Sequence, residues 1–177
     1  MVATLRVSGA TCAEITRRIG VPPDRCDEAG TLLSPRHPRS ARRDRAAWRL
    51  GTESDDRPLA DHLRELLGRL AGRAAAVRAF GDDADVFCFV ADPVTTLDAA
   101  LLGELAAFGV EVVLDVYPPE SPVEGKRSDL AFDPVTGWRL RYESDNGQGS
   151  VELSPAELRR LAAPGLPLTV HLGPAAP

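Results

Sequence analysis

Residues 85–91, with the sequence DVFCFVA, decide how this chain folds. After Asp85 the run is apolar throughout, and turn residues lie on both sides of it, at 81–83 and at Asp92-Pro93. A short apolar run between turns is typical of a strand in the middle of a sheet. We therefore expect a central strand here, with both of its faces buried.

Helices with a single leucine stripe are predicted before and after this strand. The stripes consist of Leu59, Leu63, Leu66, Leu67 and Leu70 in the first helix, and of Leu97, Leu101, Leu102, Leu105 and Phe108 in the second. We expect Thr96 to cap the second helix and Gly109 to end it. Because each stripe occupies one side of its helix, each helix is expected to cover one face of a sheet.

The remaining elements follow from alternation and capping signals. Strands are predicted at 4–8, 47–52, 110–116 and 166–172, a hairpin around 133–137, and short helices after capping boxes at Thr11 and Ser154. This order predicts an α+β fold with a mixed, largely antiparallel sheet and helices packed mainly on one face. We place the main domain at 1–119. Residues 120–177 form a C-terminal hairpin-helix-strand extension packed on it.

The composition fits one folded unit with an aliphatic core. The chain has 177 residues, of which 44% are hydrophobic and 5% aromatic, and its net charge is −5. No run of 18 apolar residues is present, and the first nine residues lack the features of a signal peptide. We expect a cytoplasmic protein that does not associate with a membrane.

The three cysteines are Cys12, Cys26 and Cys88. An odd number without a secretion signal argues against a disulfide framework. Cys88 lies inside the apolar run, where a small buried core residue is expected. Cys12, Cys26 and His37 match no known zinc-site spacing. We expect no metal site and no cofactor.

The basic residues are concentrated near the start of the chain. Residues 1–50 contain ten arginines and five acidic residues, whereas 51–177 contain 11 basic and 21 acidic residues. The densest group is Arg36, Arg39, Arg42, Arg43, Arg45 and Arg49. Arginine forks bind phosphates and carboxylates, which predicts a loop for an anionic partner. The alternative is a solvated loop in a chain that uses arginine for almost all of its positive charge.

Asp115 is an acidic residue inside an apolar strand, and it shares a strand face with Tyr117. Such a carboxylate is paired, exposed or functional. We take Asp115 and Tyr117 as candidate catalytic residues, with Arg49, Trp48 and Trp138 as further candidates for a pocket. The alternative is a structural carboxylate. The chain contains no nucleophile elbow, HExxH motif, P-loop or dinucleotide fingerprint, so no reaction is specified.

Several segments in a fixed order carry a family resemblance. They are Leu5-Arg6-Val7-Ser8-Gly9, the helix 15–20 with Val21-Pro22-Pro23-Asp24, the Gly30 turn, Ala47-Trp48-Arg49-Leu50, the leucine-striped helix and Leu114-Asp115-Val116-Tyr117. Over residues 3–119 the chain resembles the bacterial family called domain of unknown function 4279. The resemblance implies a small stand-alone bacterial protein. Some members of this family lie near toxin–immunity loci, which implies a binding role for the family.

Three functions are compatible with these observations. The favoured one is a protein-binding module, such as an immunity or accessory protein, that binds another protein. The second is an enzyme acting on a peptide or small metabolite in a pocket near Asp115. The third is nucleic-acid binding through residues 36–49, which the acidic net charge and the absence of aromatics in this loop argue against. The oligomeric state is left open.

Overall fold

The computed structural model describes residues 1–34, 36–37, 39–118, 125–144 and 147–173. Their elements are, in chain order, β1 (Val2–Gly9), α1 (Cys12–Ile19), β2 (Arg25–Asp27), β3 (Ala46–Gly51), α2 (Leu59–Arg69), α3 (Ala74–Arg78), a 3-10 turn (Gly81–Asp83), β4 (Ala84–Val90), β5 (Val94–Leu97), α4 (Ala99–Phe108), β6 (Glu111–Val116), β7 (Lys126–Asp133), β8 (Gly137–Ser144), β9 (Gly149–Leu153), α5 (Pro155–Ala162) and β10 (Leu168–Leu172). The expected boundary at 119/120 lies outside the described residues. None of the helices in these ranges has the length and apolar character needed to cross a membrane.

The strands form two sheets. The first has six strands in the order β2-β3-β1-β4-β6-β9, and the second has four in the order β5-β10-β8-β7. One neighbouring pair in each sheet is parallel, β4 with β6 and β10 with β8, and the other neighbouring pairs are antiparallel. The predicted α+β class, with mixed and largely antiparallel pairing, is confirmed.

The first 118 residues and the C-terminal part exchange edge strands. From the C-terminal part, β9 pairs with β6 at the edge of the first sheet, with Val151 opposite Leu114. From the earlier part, β5 pairs with β10 at the edge of the second sheet, with Thr96 opposite Thr169. The sequence predicted neither β5, where it placed the start of a helix, nor this exchange of edge strands.

The central position of β4 is confirmed, but the expected burial of both its faces is wrong. Its residues alternate between buried and partly exposed: Val86 and Cys88 are buried, whereas Asp85, Phe87 and Phe89 are partly exposed. Helices α1 and α2 pack against one face of the first sheet, and within the described residues the side chains on its other face are partly or fully exposed. Apolar residues at the alternate positions of β4 therefore reach the surface.

The covered face carries the core. The stripe residues Leu59, Leu63, Leu66 and Leu70 of the first predicted helix are buried, and they belong to the same apolar cluster as the inward residues of both sheets. The indole Nε1 of Trp48 on β3 donates a hydrogen bond of 3.1 Å to the hydroxyl of Thr16 on α1. This bond ties α1 to the sheet beneath it.

Helix ends follow the capping signals at two of three positions. The Thr11 hydroxyl accepts a bond from the Glu14 amide, and Ser154 forms a complete capping box. The third prediction is wrong, because Thr96 lies in β5 and Asp98 caps α4. Thr96 pairs with Thr169 on β10 and is therefore a strand residue. Helix α4 begins only after β5 has ended.

Cys12 and Cys26 form a disulfide, with their Cα atoms 6.0 Å apart. The argument against disulfides is therefore wrong for this pair, since it relied on the odd cysteine count. The bond joins the start of α1 to β2, a short strand that the sequence did not predict. Cys88 is free and buried as expected, and this burial raises the pKa of its thiol to about 12.

Candidate functional site

The uncovered side of the first sheet, here called the open face, carries a row of five charged residues. Register places Arg25 opposite Arg49, Arg49 opposite Arg6, Arg6 opposite Asp85, and Asp85 opposite Glu111. Each of these side chains is partly or fully exposed. The row therefore runs from three cations on β2, β3 and β1 to two anions on β4 and β6.

Aromatic side chains lie beside this row, on the acidic half of the open face. Phe87 follows Asp85 on the same side of β4, and the guanidinium of Arg6 lies 4.2 Å from the centre of its ring. The rings of Phe89 and Tyr117 are 4.9 Å apart, and Tyr117 is 40% exposed. We call Phe87, Phe89 and Tyr117 the aromatic centre.

The candidate catalytic pair lies at the edge of the aromatic centre. Asp115 is partly exposed and has Phe89 and Ser150 as its neighbours on the adjacent strands. A hydrogen bond to Asp115 raises the pKa of the Tyr117 phenol, because the phenol donates to a carboxylate. Neither residue lines any of five well-formed clefts among the described residues. Within the described residues the Asp115 carboxylate is partly exposed and the Tyr117 ring is exposed, so both are accessible to solvent.

Most arginines of the basic half have a carboxylate partner. The Nε of Arg6 lies 2.8 Å from Asp85, and Arg45 binds Asp83 through both of its terminal nitrogens. Arg25 and Arg43 each approach Asp27 to 3.3 Å, so two cations share one carboxylate.

Arg49 differs from these arginines. Within the described ranges, no carboxylate lies at ion-pair distance from it. Partial burial lowers the pKa of its guanidinium, and the charges of Arg25, Arg43 and Arg6 lower it further. Arg49 is therefore a partly buried cation surrounded mainly by other cations, an arrangement that costs free energy when no anion compensates it.

Two clefts meet at Arg49. The larger, of about 630 Å³, extends toward α2, and there Arg69 pairs with Asp24 at 2.7 Å and Arg57 with Glu65 at 3.0 Å. The smaller, of about 320 Å³, lies over β1 and β3 on the open face. Arg49 lines both clefts and lacks the carboxylate partner that the other two arginines of the larger cleft have.

The other end of the charged row is acidic. Glu111 lies on β6, and its pKa is raised, first by partial burial and then by the charges of Glu152 and Asp85. Glu152 is on β9, next to β6 in the sheet. Charge of opposite sign is thus separated across the open face, with the aromatic centre on its acidic half.

A sequence comparison identifies the first part of the chain. The family described as Domain of unknown function (DUF4279) matches residues 1–119. The chain belongs to this family. No curated protein and no solved structure matches the chain. Within the DUF4279 region lie five of the six strands of the first sheet, and β9 is the sixth.

The predicted arginine loop does not form one site within the DUF4279 region. Arg36 and Arg39 are exposed, and Arg42 donates a hydrogen bond of 2.6 Å to the carbonyl of Gly30. Arg43, Arg45 and Arg49 lie on or near the open face, as described above. The sequence therefore grouped residues that the fold separates.

The two tryptophans also fall in different places. Trp48 is fully buried under α1, so it is a core residue and cannot contact a partner. Trp138 lies on β8 in the second sheet, with its ring 4.7 Å from that of Phe132 and with the guanidinium of Arg160 5.7 Å away. Neither tryptophan contributes to the open face.

His62, a residue of α2, lies in the core. It is fully buried, its Nδ1 lies 2.8 Å from the Thr52 hydroxyl, and its Nε2 lies 3.1 Å from Asp55. Thr52 in turn accepts a hydrogen bond from the amide of Ala3. These contacts join α2 to β1 and to the segment after β3, which is a structural role.

Sequence reasoning missed Arg6, Arg25, Phe87 and Phe89 as surface residues. The signal was available, because strands alternate and apolar Val86 and Cys88 fix which side of β4 faces inward. The assumption that β4 is buried on both faces removed Phe87 and Phe89 from consideration.

Proposed function

We propose that this protein is a protein-binding module and that the open face is its docking surface. One observation carries the proposal: the face is uncovered, and its aromatic centre lies among charges that change sign across the sheet. Interfaces between proteins commonly combine buried aromatic anchors with a polar rim. Phe87 and Phe89 occupy the anchor position here, with Arg6, Asp85 and Glu111 as neighbours.

Burial of the aromatic centre supplies the affinity in this proposal. Removing a phenylalanine side chain from water is worth about 1.5–3 kcal/mol when burial is complete. Phe87 and Phe89 are only partly exposed, so each offers part of that amount. The partner therefore presents an apolar side chain to these rings.

The charges around the rings define the rest of the partner. An acidic group is expected opposite Arg49 and a basic group opposite Glu111. Such complementarity speeds association and suppresses partners of the wrong charge pattern. Together with the family resemblance, this supports an immunity or accessory role in a bacterial cell, in which the module neutralises or escorts its partner.

The other two functions receive less support. A reaction at Asp115 receives less support because none of the five clefts found among the described residues includes Asp115, and active sites are commonly clefts. Nucleic-acid binding through residues 36–49 would depend mainly on Arg36, Arg39 and Arg49, because Arg42, Arg43 and Arg45 already bind groups of this chain.

Site-specific photo-cross-linking tests the proposal. We would place p-benzoylphenylalanine at Phe87 or Tyr117 in the full chain and irradiate cells of the native host. The control position is Val135, which is 81% exposed in the turn between β7 and β8.

The expected result is one discrete adduct with another protein from Phe87 and Tyr117, and none from Val135. The adduct should weaken when Glu111→Lys is added, because the basic group of the partner then meets a cation. Equal labelling from Val135, or adducts only between two copies of the chain, would overturn the proposal.

The cellular compartment of the protein is a separate part of the proposal. We propose the cytoplasm, where reductants keep most thiols reduced. Rapid alkylation of lysed host cells should then label Cys12 and Cys26, although the structure joins them. Protection of both cysteines before reductant is added would place the protein in an oxidising compartment instead.

A further inference from the structure

We infer that the basic half of the open face contains a binding site for an oxyanion, a carboxylate or phosphate group held by Arg49 and Arg43. This goes beyond protein docking at the aromatic centre, and it does not depend on the identity of any protein partner. The relevant surface is the smaller cleft described above, which lies over β1 and β3.

An excess of positive charge is the first observation behind this inference. Arg6, Arg25, Arg43 and Arg49 interact with one another on neighbouring strands and on the segment before β3. Only two carboxylates within the described ranges pair with these four cations, Asp85 with Arg6, and Asp27 with both Arg25 and Arg43. The cluster therefore lacks anions.

Unused hydrogen-bond donors are the second observation. The guanidinium of Arg49 makes no hydrogen bond or ion pair to any residue in the described ranges, although its backbone carbonyl accepts from Asp24. The Nε of Arg43 is buried and has no acceptor. An unsatisfied buried donor destabilises the folded chain, and more strongly when the donor is charged. A single oxyanion in the cleft could accept from both guanidiniums, which are matched in shape to carboxylate and phosphate oxygens.

The shape of the cleft is the third observation. Its floor includes Ala47 on β3 and Ser8 on β1, which face each other in register. Both side chains are small, so the sheet surface is hollow at this point, and arginines stand around it. A volume of about 320 Å³ admits a small anion or the head of a longer ligand.

The acidic side of the same cleft restricts where an anionic group can bind. Asp83 and Asp85 lie there, and each is neutralised by an arginine, Arg45 or Arg6. Asp82 lines the same wall and has no such partner within the described ranges. The anionic group must therefore sit toward Arg43 and Arg49, away from Asp82.

Titration with two small dianions tests the inference. Inorganic phosphate and malonate would be added to the full chain at constant ionic strength and pH 7.5, with sodium chloride as the reference salt. The readouts are the melting temperature and the ¹⁵Nε–¹Hε NMR signals of the arginines. A ligand that binds only the folded protein raises the melting temperature in a saturable way.

We expect a saturable rise with at least one dianion and a shift of the Arg49 signal. Tighter binding of phosphate would indicate a phosphate-bearing ligand, and tighter binding of malonate a carboxylate-bearing one. Arg49→Gln should weaken binding at least tenfold. Arg17→Gln, which removes an exposed arginine on α1, should leave it unchanged.

A second variant keeps all the arginines and fills the floor of the cleft. Ala47→Leu should abolish dianion binding while the circular dichroism spectrum stays that of the folded chain. The inference is overturned if neither dianion acts beyond sodium chloride, or if Arg49→Gln and Arg17→Gln behave alike. Neither result bears on cross-linking from Phe87, so the proposed protein-binding function is tested separately.

Discussion

Gly149→Ala should strongly destabilise the protein, because the ring of Tyr142 lies directly against Gly149. A Cβ added at this glycine would overlap Oη, Cζ and Cε1 of Tyr142. Tyr142 is 4% exposed, and its hydroxyl is hydrogen-bonded by the backbone of Ser150. The contact joins β8 of the second sheet to β9 of the first, so the substitution tests how the two sheets are connected.

The magnitude follows from what the tyrosine loses when it is displaced. Losing the burial of a large aromatic side chain costs about 1.5–3 kcal/mol. Loss of the hydrogen bond adds about 1 kcal/mol. Partial relaxation of β9 reduces the sum, which leaves an expected loss of about 2–4 kcal/mol in the free energy of unfolding. For a chain of this size the melting temperature should fall by roughly 5–15 °C.

Urea unfolding, followed by circular dichroism, measures this loss. The matched control is Gly68→Ala, since Gly68 lies exposed inside α2 and an added Cβ meets no atom there. That change should stabilise the protein by about 0.5–1 kcal/mol, because alanine favours a helix over glycine.

A double-mutant cycle separates overlap from other effects of the new methyl group. In a Tyr142→Ala background, where the ring is absent, Gly149→Ala should cost no more than about 0.5 kcal/mol. If Gly149→Ala lies within about 0.5 kcal/mol of the unchanged protein, the two sheets do not pack through Tyr142 and this account of the C-terminal part is wrong.

Three further predictions concern single contacts, each measured by urea unfolding. Replacing Cys12 and Cys26 by serine should lower the free energy of unfolding by about 2–3 kcal/mol, and a reductant should then have no further effect. Asp24→Asn should cost up to about 1 kcal/mol at pH 7, because the pair with Arg69 is largely exposed. Since that pair lowers the pKa of Asp24 below 3.8, the difference should shrink as the pH falls below 3.8 and vanish below the lowered pKa, and a difference that stays constant down to that range would contradict the pairing. Ser154→Ala should cost about 1 kcal/mol by removing the cap of α5, and an unchanged midpoint would show that the cap is dispensable.

Local signals predicted the elements of this fold well, because short-range chemistry decides them. The leucine stripe of α2, the glycine after α4 and the turn before Gly137 each depend on residues close in sequence. The Asp133 carboxylate accepts bonds from the amides of Val135 and Thr136, which closes that turn as predicted. Such signals operate within a few residues and are visible without a structure.

Strand partners were not predictable in the same way. Nothing local to Thr96 distinguishes a helix cap from a strand residue, and its position is decided by pairing with Thr169, far away in the sequence. The disulfide between Cys12 and Cys26 likewise depends on the position of β2 beside β3. Long-range pairing selects among conformations that the local sequence leaves open.

For the candidate site, the basic residues could be located from the sequence, but not which of them lie together in the fold. Its densest arginines, residues 36–49, were treated as one loop. Instead, Arg49 lies opposite Arg6 and Arg25, which are 43 and 24 positions away in the chain but on neighbouring strands. Register decided this grouping, and the sequence provides register only where strand partners are known.

The charge asymmetry along the chain becomes a charge boundary across the first sheet. Residues 1–51 contain β1, β2 and β3, and later residues contain β4, β6 and β9. The change of sign at position 50 therefore becomes a line between β1 and β4, where Arg6 meets Asp85 at 2.8 Å. On the proposed docking surface, Glu111 would repel an acidic partner and Arg49 a basic one, so the proposal calls for a partner that carries both signs in this order. The net charge of −5 does not show this arrangement, because it is the sum over a basic region and an acidic region of the chain.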